Sequence, residues 1–387
     1  MIKKQVTKRQ HWNPRMHLKH FSVNGKIYVF DKKSLDIKLI SIENVAVGKW
    51  FYDRDNSIEN KLSNIENTVD RIFSKIIRTR RLDNIRLEER SNLDEFIVLQ
   101  DYRTPNSRNQ YEIIYQESLK LFINAMKNGK IDENTLPDGM PKAIWKNMPP
   151  PRENFIKFLQ VIKEDQDYFT EFNKESAIRV TNMIISGILP SGIKIFSKLK
   201  LRLFKNASNI DFYTSDHPVC RYNQYMMDSF SHITINGIGY NSVGIQFFYP
   251  LTPKLCLVFE DEKVYGMYED VTIVDHEFVN FVNARIIQNS KRWIYSQNDN
   301  FNYADDYLGD YPHFKNPDIL FGLWIIPKTA SERAIWERFY GKEAQRKLKN
   351  YVDHLIQKGA TEYEVEEIYT KYDIEYKMAL ENGNSLI

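Results

Sequence analysis

Gly244-Ile245-Gln246-Phe247-Phe248-Tyr249-Pro250-Leu251, followed by Thr252-Pro253-Lys254 and Leu255-Cys256-Leu257-Val258-Phe259, is the stretch that decides the fold. Two aromatic and aliphatic runs flank a short polar turn, a pattern that predicts an antiparallel strand pair. The chain just before it has the same texture. Leu199-Lys200-Leu201-Arg202-Leu203-Phe204 alternates apolar and polar residues, and Ala207-Ser208-Asn209 turns. Phe212-Tyr213-Thr214 reads as a further short strand that breaks into Ser215-Asp216-His217-Pro218, placing a carboxylate and an imidazole at a strand tip. Beyond the central pair, His276 to Ser290 predicts a helix with Phe278, Val282 and Ile286 on one face. Arg292-Trp293-Ile294-Tyr295-Ser296 predicts a closing strand, and Asn298 to Tyr311 reads as a loop.

A second β region stands near the start. Asn24-Gly25 is a two-residue hairpin signal, with Lys26 to Phe30 as a strand and Ile37 to Ile42 as its partner. After Trp50-Phe51-Tyr52-Asp53, apolar residues Ile58, Leu62, Ile65, Val69, Ile72 and Ile76 recur at helical spacing. Arg78, Arg80 and Arg81 close that helix, either as charges that complement its C-terminus or as phosphate contacts. Ser91-Asn92-Leu93-Asp94 has the form of a capping box opening a second helix, which Pro105 stops. Helical spacing returns at Leu119 to Met126, Phe155 to Ile162 and Ile178 to Ile188, the last ending at Pro190-Ser191-Gly192. Leu136 to Arg152 is a Pro-rich loop. Thr329 and Thr361 open two late, charged helices. The order predicts an α+β fold, with antiparallel β-sheet regions flanking a central helical block and a C-terminal helical appendage. The expected division is one domain over 1–328 (arm and hairpin 1–53, helical block 57–190, β-rich part 194–296) and an appendage over 329–387.

Composition excludes several classes. Lys and Arg (54) nearly balance Asp and Glu (51), which argues against a protein that coats nucleic acid generally. Two cysteines supply neither a disulfide framework nor a thiolate zinc site. The first residues lack the apolar run of a secretory signal, and no run approaches the roughly 18 apolar residues of a spanning helix. A soluble, cytoplasmic protein is the expectation. No Walker loop or Gly-x-Gly-x-x-Gly is present, so dependence on ATP, GTP or NAD is not expected.

Several short motifs, in order, resemble an uncharacterised bacterial family, domain of unknown function 4238. They are His11-Trp12-Asn13-Pro14 with Leu18, Phe21 and Asn24-Gly25-Lys26; Phe51-Tyr52-Asp53; Gln100 with Arg103-Thr104-Pro105; Thr214-Ser215-Asp216-x-Pro218; Pro250-Leu251-Thr252-Pro253; and Asn280 with Asn283. Together they cover residues 11 to 296. The family turn usually carries Asn where this chain has His217, so the resemblance demotes His217 and leaves Asp216. Some members look like parts of bacterial antiviral defence, which implies an effector acting on nucleic acid.

The candidate site combines His11, Arg103 and Asp216. His11 is suited to exchange a proton near neutral pH, Asp216 to orient it or hold a divalent metal (Mg or Mn), and Arg103 to grip phosphate. Ser215, Asn280, Asn283 and Pro14 complete the set as substrate contacts. These roles describe a nuclease-like or phosphodiester-hydrolysing effector. The alternative is a non-enzymatic sensor or binding protein that recognises a phage protein or small ligand, with the charged C-terminal helices meeting a protein partner. The structural counterpart of each assignment also stands: an Asx-turn for Asp216, a buried hydrogen-bonded His11, and an ion pair from Arg103 to Asp101 or Glu95. Lys3, Lys4, Lys8 and Arg9 beside Trp12 form a basic, aromatic segment that either grips nucleic acid or stays a solvated arm. His17 and His20, three apart, lack the further ligands of a zinc site.

Overall fold

The computed structural model describes residues 7–53, 55–108, 189–224, 239–266 and 269–315. The chain divides into two compact units, Met1–Asn109 with Val180–Leu323 and Gln110–Arg179 with Trp324–Ile387. The described residues all belong to the first unit, where the sequence reading kept 1–328 together. The helices expected at 119–126, 155–162 and 178–188, the loop at 136–152 and the appendage at 329–387 lie outside the described residues.

The N-terminal part opens with β1 (Arg9–His11) and α1 (Arg15–Lys19), then β2 (Lys26–Asp31), β3 (Ile37–Ser41) and β4 (Val47–Lys49). Asn24 and Gly25 take φ of +52° and +72°, the left-handed pair that a tight hairpin turn requires. Long helix α2 (Ser57–Thr79) buries Leu62, Val69, Ile72, Phe73 and Ile76. Helix α3 (Leu87–Tyr102) begins four residues before the expected capping box at Ser91. Its true start is made by Glu89, whose carboxylate accepts from the Arg86 N–H (2.8 Å) and from Lys75 of α2 (2.8 Å).

The second part runs α4 (Leu189–Phe196), β5 (Lys200–Asn206), β6 (Thr214–Ser215), β7 (Cys220–Tyr222), β8 (Gln246–Thr252) and β9 (Leu255–Glu260). It continues with α5 (Glu262–Tyr265), β10 (Val271–Val274), α6 (His276–Asn289), β11 (Trp293–Ser296) and α7 (Asn302–Asp310). Pro190 and Gly192, expected to end a helix, instead lie within α4. Proline in a first turn lacks only an N–H that no intrahelical acceptor would meet. The expected loop after Asn298 contains α7, which buries Ala304 and Leu308 against the core.

The fold is α+β. One sheet has the order β10-β5-β9-β8-β7, with β8 and β9 forming the expected antiparallel pair and β10 joining parallel to β5. A second has the order β3-β2-β11-β6, and β1 with β4 makes a separate two-stranded ribbon. The predicted closing strand β11 is thus internal: Phe30 of β2 faces Ile294 on one side and Ser215 of β6 faces it on the other. The expected strand over 212–214 contracts to Thr214–Ser215. The main core gathers Phe204, Phe212, Phe248, Val258, Val282, Ile286, Ile294 and Leu308 from both sheets, α6 and α7. Among the described residues no helix is long and apolar enough to cross a membrane.

Strand β5 departs from the expected alternation, because Leu201 to Phe204 are all buried. Arg202 is tolerated there through Glu260 on β9, Nε to Oε1 at 2.5 Å, with Nη2 donating to the Tyr265 carbonyl at 3.3 Å. Removing one buried partner strands the other charge. Arg202→Met alone should therefore cost about 3–5 kcal/mol in urea unfolding, and Arg202→Met with Glu260→Leu should recover most of it. A double variant as unstable as the single one would show that the pair is not what β5 and β9 rely on.

Candidate functional site

Ser215, Asp216 and His217 leave the tip of β6 in three directions. Ser215 closes its own turn, Oγ donating to the His217 carbonyl (2.8 Å), while its carbonyl accepts from Asn13 Nδ2 (3.0 Å). Asp216 points to the link between α6 and β11. Its Oδ1 accepts from Lys291 N–H (2.8 Å), and Oδ2 accepts from Arg292 and Trp293 N–H (2.8 and 3.0 Å). Burial pushes this carboxyl above its ordinary range, against the pull of those N–H donors and of the Lys32 charge. Lys32 is itself buried and donates to the carbonyls of Ile287 (2.6 Å) and Ser290 (2.7 Å). A carboxylate so surrounded by donors does not fit a divalent cation, which needs free oxygen lone pairs. Among the described residues no group of three or more His, Cys, Asp or Glu side chains could hold a metal ion.

The other expected partners sit elsewhere. His11 lies on the β1–β4 ribbon, where burial together with Arg15 lowers its imidazole from 6.5 to about 4, and Nε2 is buried without a partner. Arg103 is fully buried; Nε donates to Gln100 Oε1 (2.7 Å) and Nη1 to Glu66 Oε1 (2.7 Å). Its carboxylate is therefore on α2, not Asp101 or Glu95. Asn283 satisfies backbone groups, accepting from Tyr213 N–H (2.8 Å) and donating to the Asp211 carbonyl (2.9 Å). Asn280 is half-buried on the same helix. Pro14 caps α1, its carbonyl accepting from His17 and Leu18 N–H. The side chains of His11, Arg103 and Asp216 thus engage three separate sets of partners. Of the histidine pair, His17 has a structural role, lying 2.8 Å from both Asn13 Oδ1 and the Pro250 carbonyl, and burial lowers the His20 imidazole, whose Nε2 has no partner.

What does converge is the 100–105 segment and the 214–218 turn, through residues the sequence reading had set aside. Helix α3 ends at Tyr102 because Thr104 precedes Pro105. Residues three apart share a helix face, so Gln100 and Arg103 turn one way, to the Trp12 carbonyl and to Glu66 of α2, while Asp101 and Thr104 turn toward His217. His217 Nδ1 is 2.6 Å from Thr104 Oγ1, and Nε2 is 3.5 Å from Asp101 Oδ1. That second contact is long for a hydrogen bond, and Oδ1 has no other donor. Asp101 Oδ2 is engaged by Tyr240 O–H (2.7 Å) and Arg221 Nε (2.9 Å). Burial works to raise the Asp101 carboxyl, yet Arg221, His217 and Tyr240 hold it below its usual range. Ser107 completes the turn, its N–H donating to Thr104 Oγ1 (3.2 Å) and its hydroxyl to the Asp101 carbonyl. A carboxylate, an imidazole and a hydroxyl in line can pass a proton along the line. Asp101 was visible in the sequence only as a partner for Arg103, and Arg221 and Tyr240 carried no local signal.

The chain belongs to the family described as Protein of unknown function (DUF4238), whose sequence profile matches residues 9–300. No curated protein and no solved structure matches it.

Two outcomes separate the expected catalytic residues from structural ones. Asp216→Asn turns an amide N–H toward backbone donors, and urea unfolding should register a loss of about 2–4 kcal/mol from missing charged hydrogen bonds; a change within about 0.5 kcal/mol would show that the carboxylate is not the clamp. His11 has a folded pKa below its unfolded one, so the stability it contributes is present above 6.5 and lost as pH falls through about 4. An NMR titration should show its ring still neutral at pH 6, and an ordinary midpoint near 6.5 would overturn that.

Proposed function

We propose that this protein is a nuclease-like, phosphodiester-hydrolysing enzyme whose proton-transfer residue is His217, with Asp101 and Arg221 beside it. The observation that carries the reading is the imidazole held at 2.6 Å from the Thr104 hydroxyl, with its other nitrogen 3.5 Å from the Asp101 carboxylate. Thr104 orients the ring through Nδ1. Nε2 exchanges a proton with the attacking or leaving oxygen, and Asp101 steadies the imidazolium that forms. Arg221, on the same carboxylate, meets the phosphate charge, a task for which a guanidinium is well shaped. The composition fits a cytoplasmic setting for this activity, and the family resemblance favours an effector of bacterial antiviral defence.

A second reading is favoured by burial. Asp101 and Thr104 are wholly covered and His217 is 4% exposed, as in a network that braces a non-enzymatic sensor of a phage protein or small ligand. His217→Asn decides between them, because an amide keeps a polar partner for Thr104 but neither gives up nor takes on a proton near neutral pH. Purified protein is incubated with DNA, total RNA and tRNA, with and without magnesium or manganese. The enzymatic reading expects cleavage by the parent, a loss of about a hundred- to ten-thousand-fold in the variant, and a melting temperature within a few degrees. Cleavage that survives His217→Asn, or a parent that cleaves nothing, sinks it.

A further inference from the structure

The ribbon of β1 and β4 joins neither larger sheet. Its register sets Arg9 directly opposite Lys49 and His11 opposite Val47. Arg9 and Lys49 are exposed, as is Lys8 before them. Like charges directly opposite one another weaken a strand pair, and no carboxylate among the described residues pairs with either cation. Arg9 Nη2 donates instead to the Glu43 carbonyl and to Asn44 Oδ1, both at 2.7 Å. The Glu43 carboxylate is already taken by Arg15, at 2.5 Å.

Aromatic rings finish the same element. Trp12 packs on Phe51 with centroids 4.9 Å apart, and the Arg108 guanidinium lies 3.4 Å over the Phe51 ring. Arg108 Nε and Nη2 and the Trp12 indole N–H are buried with no acceptor. All three are donors only, so each lacks an oxygen or a ring nitrogen. Trp50 follows β4 in the left-handed region, φ +55°, and its N–H donates to the Lys8 carbonyl at 2.9 Å. That bond ties the ring's position to the basic strand.

We propose that the β1–β4 ribbon, with Arg108, is a binding surface for single-stranded nucleic acid. Phosphates run along Lys8, Arg9 and Lys49, and bases meet Trp12 and Trp50. Duplex offers the phosphates but no free base faces, whereas single strands offer both. The inference rests on the nuclease reading for what is cleaved and deepens it by naming the substrate class.

Binding of labelled oligothymidine, oligouridine and a duplex is followed by fluorescence anisotropy across a salt series, in the His217→Asn protein so that no substrate is consumed. Single strands should bind more tightly than duplex. Arg9→Gln with Lys49→Gln should weaken single-strand binding about tenfold and flatten the slope of log K against log salt by about 1.4, for two phosphates at ~0.7 each. Both residues are exposed, and the two exposed hydrogen bonds that Arg9 loses are offset by relief of the like-charge pair, so the melting temperature should stay within a few degrees. The exposed pair Lys26→Gln with Lys38→Gln on β2 and β3 should leave binding unchanged. Binding indifferent to the ribbon change, equally weakened by the control pair, or equally tight for duplex overturns the proposal. Cleavage by the parent is scored separately. Its absence with ribbon-dependent binding intact removes the enzymatic reading alone, and ribbon-independent binding with cleavage intact removes this surface alone.

Discussion

The link between α6 and β11 leaves the core at buried Ser290 and reaches the surface at exposed Arg292, and the backbone groups along it that face inward must find partners. Two charged side chains from distant strands supply them from opposite sides. Lys32, just after β2, donates to the carbonyls of Ile287 and Ser290 at the helix end, where backbone N–H donors run out; the Ser290 hydroxyl shares the first of them. Asp216, after β6, accepts from the N–H groups of Lys291, Arg292 and Trp293. Arg292 then reaches back to Asp31 with Nε at 3.0 Å and Nη2 at 2.6 Å. Burying such charges is costly, and each is tolerable because its hydrogen bonds are met and the other charge is near. The arrangement determines where β11 enters the sheet, between β2 and β6, and so which residues of the two β regions become neighbours.

That clamp has a consequence for chemistry. Because Asp216 is committed to the α6–β11 link, the turn that carries it has one orientation, and the next side chain is delivered to the end of α3. There the proline at 105 has stopped the helix, so Asp101 and Thr104 are presented as a pair. The candidate site is therefore a by-product of two local stops, one in a helix and one in a strand, brought together by a carboxylate that backbone N–H groups hold. Arg103, one residue from Thr104, faces the other way and is absorbed by Glu66.

Much of the architecture was legible along the chain. The β8–β9 pair, the Asn24-Gly25 hairpin, α2 and α6 all declare themselves through periodicity and turn residues, which are local properties. The misreadings have physical causes. Helix α3 starts early because Glu89 finds Lys75 on another helix. Helix α7 hides in an Asn, Asp and Tyr-rich stretch because the core it covers stabilises it more than its own propensity does. In the site, residue types were readable and roles were not. Asp216 looks like a turn residue or a ligand; only its distant N–H donors show it to be a clamp. His217 lost standing to a family pattern, although it is the residue of the turn that meets a hydroxyl and a carboxylate.

By itself, then, the sequence determined the α+β class, the main strands and helices, the turn positions, and the set of chemically capable residues. These follow from backbone preferences and apolar spacing within a few residues of each other. Only the tertiary structure decided which carboxylate meets which cation, that β11 is internal, and that Asp101, Thr104, His217, Arg221 and Tyr240 share contacts while Arg103 and Asp216 are engaged by other partners. Those outcomes depend on contacts between residues far apart in the chain, 37 positions for Glu66 with Arg103 and 113 for Thr104 with His217. Hydrogen bonds and charge pairing act over a few ångströms in space and leave no periodic trace along the chain.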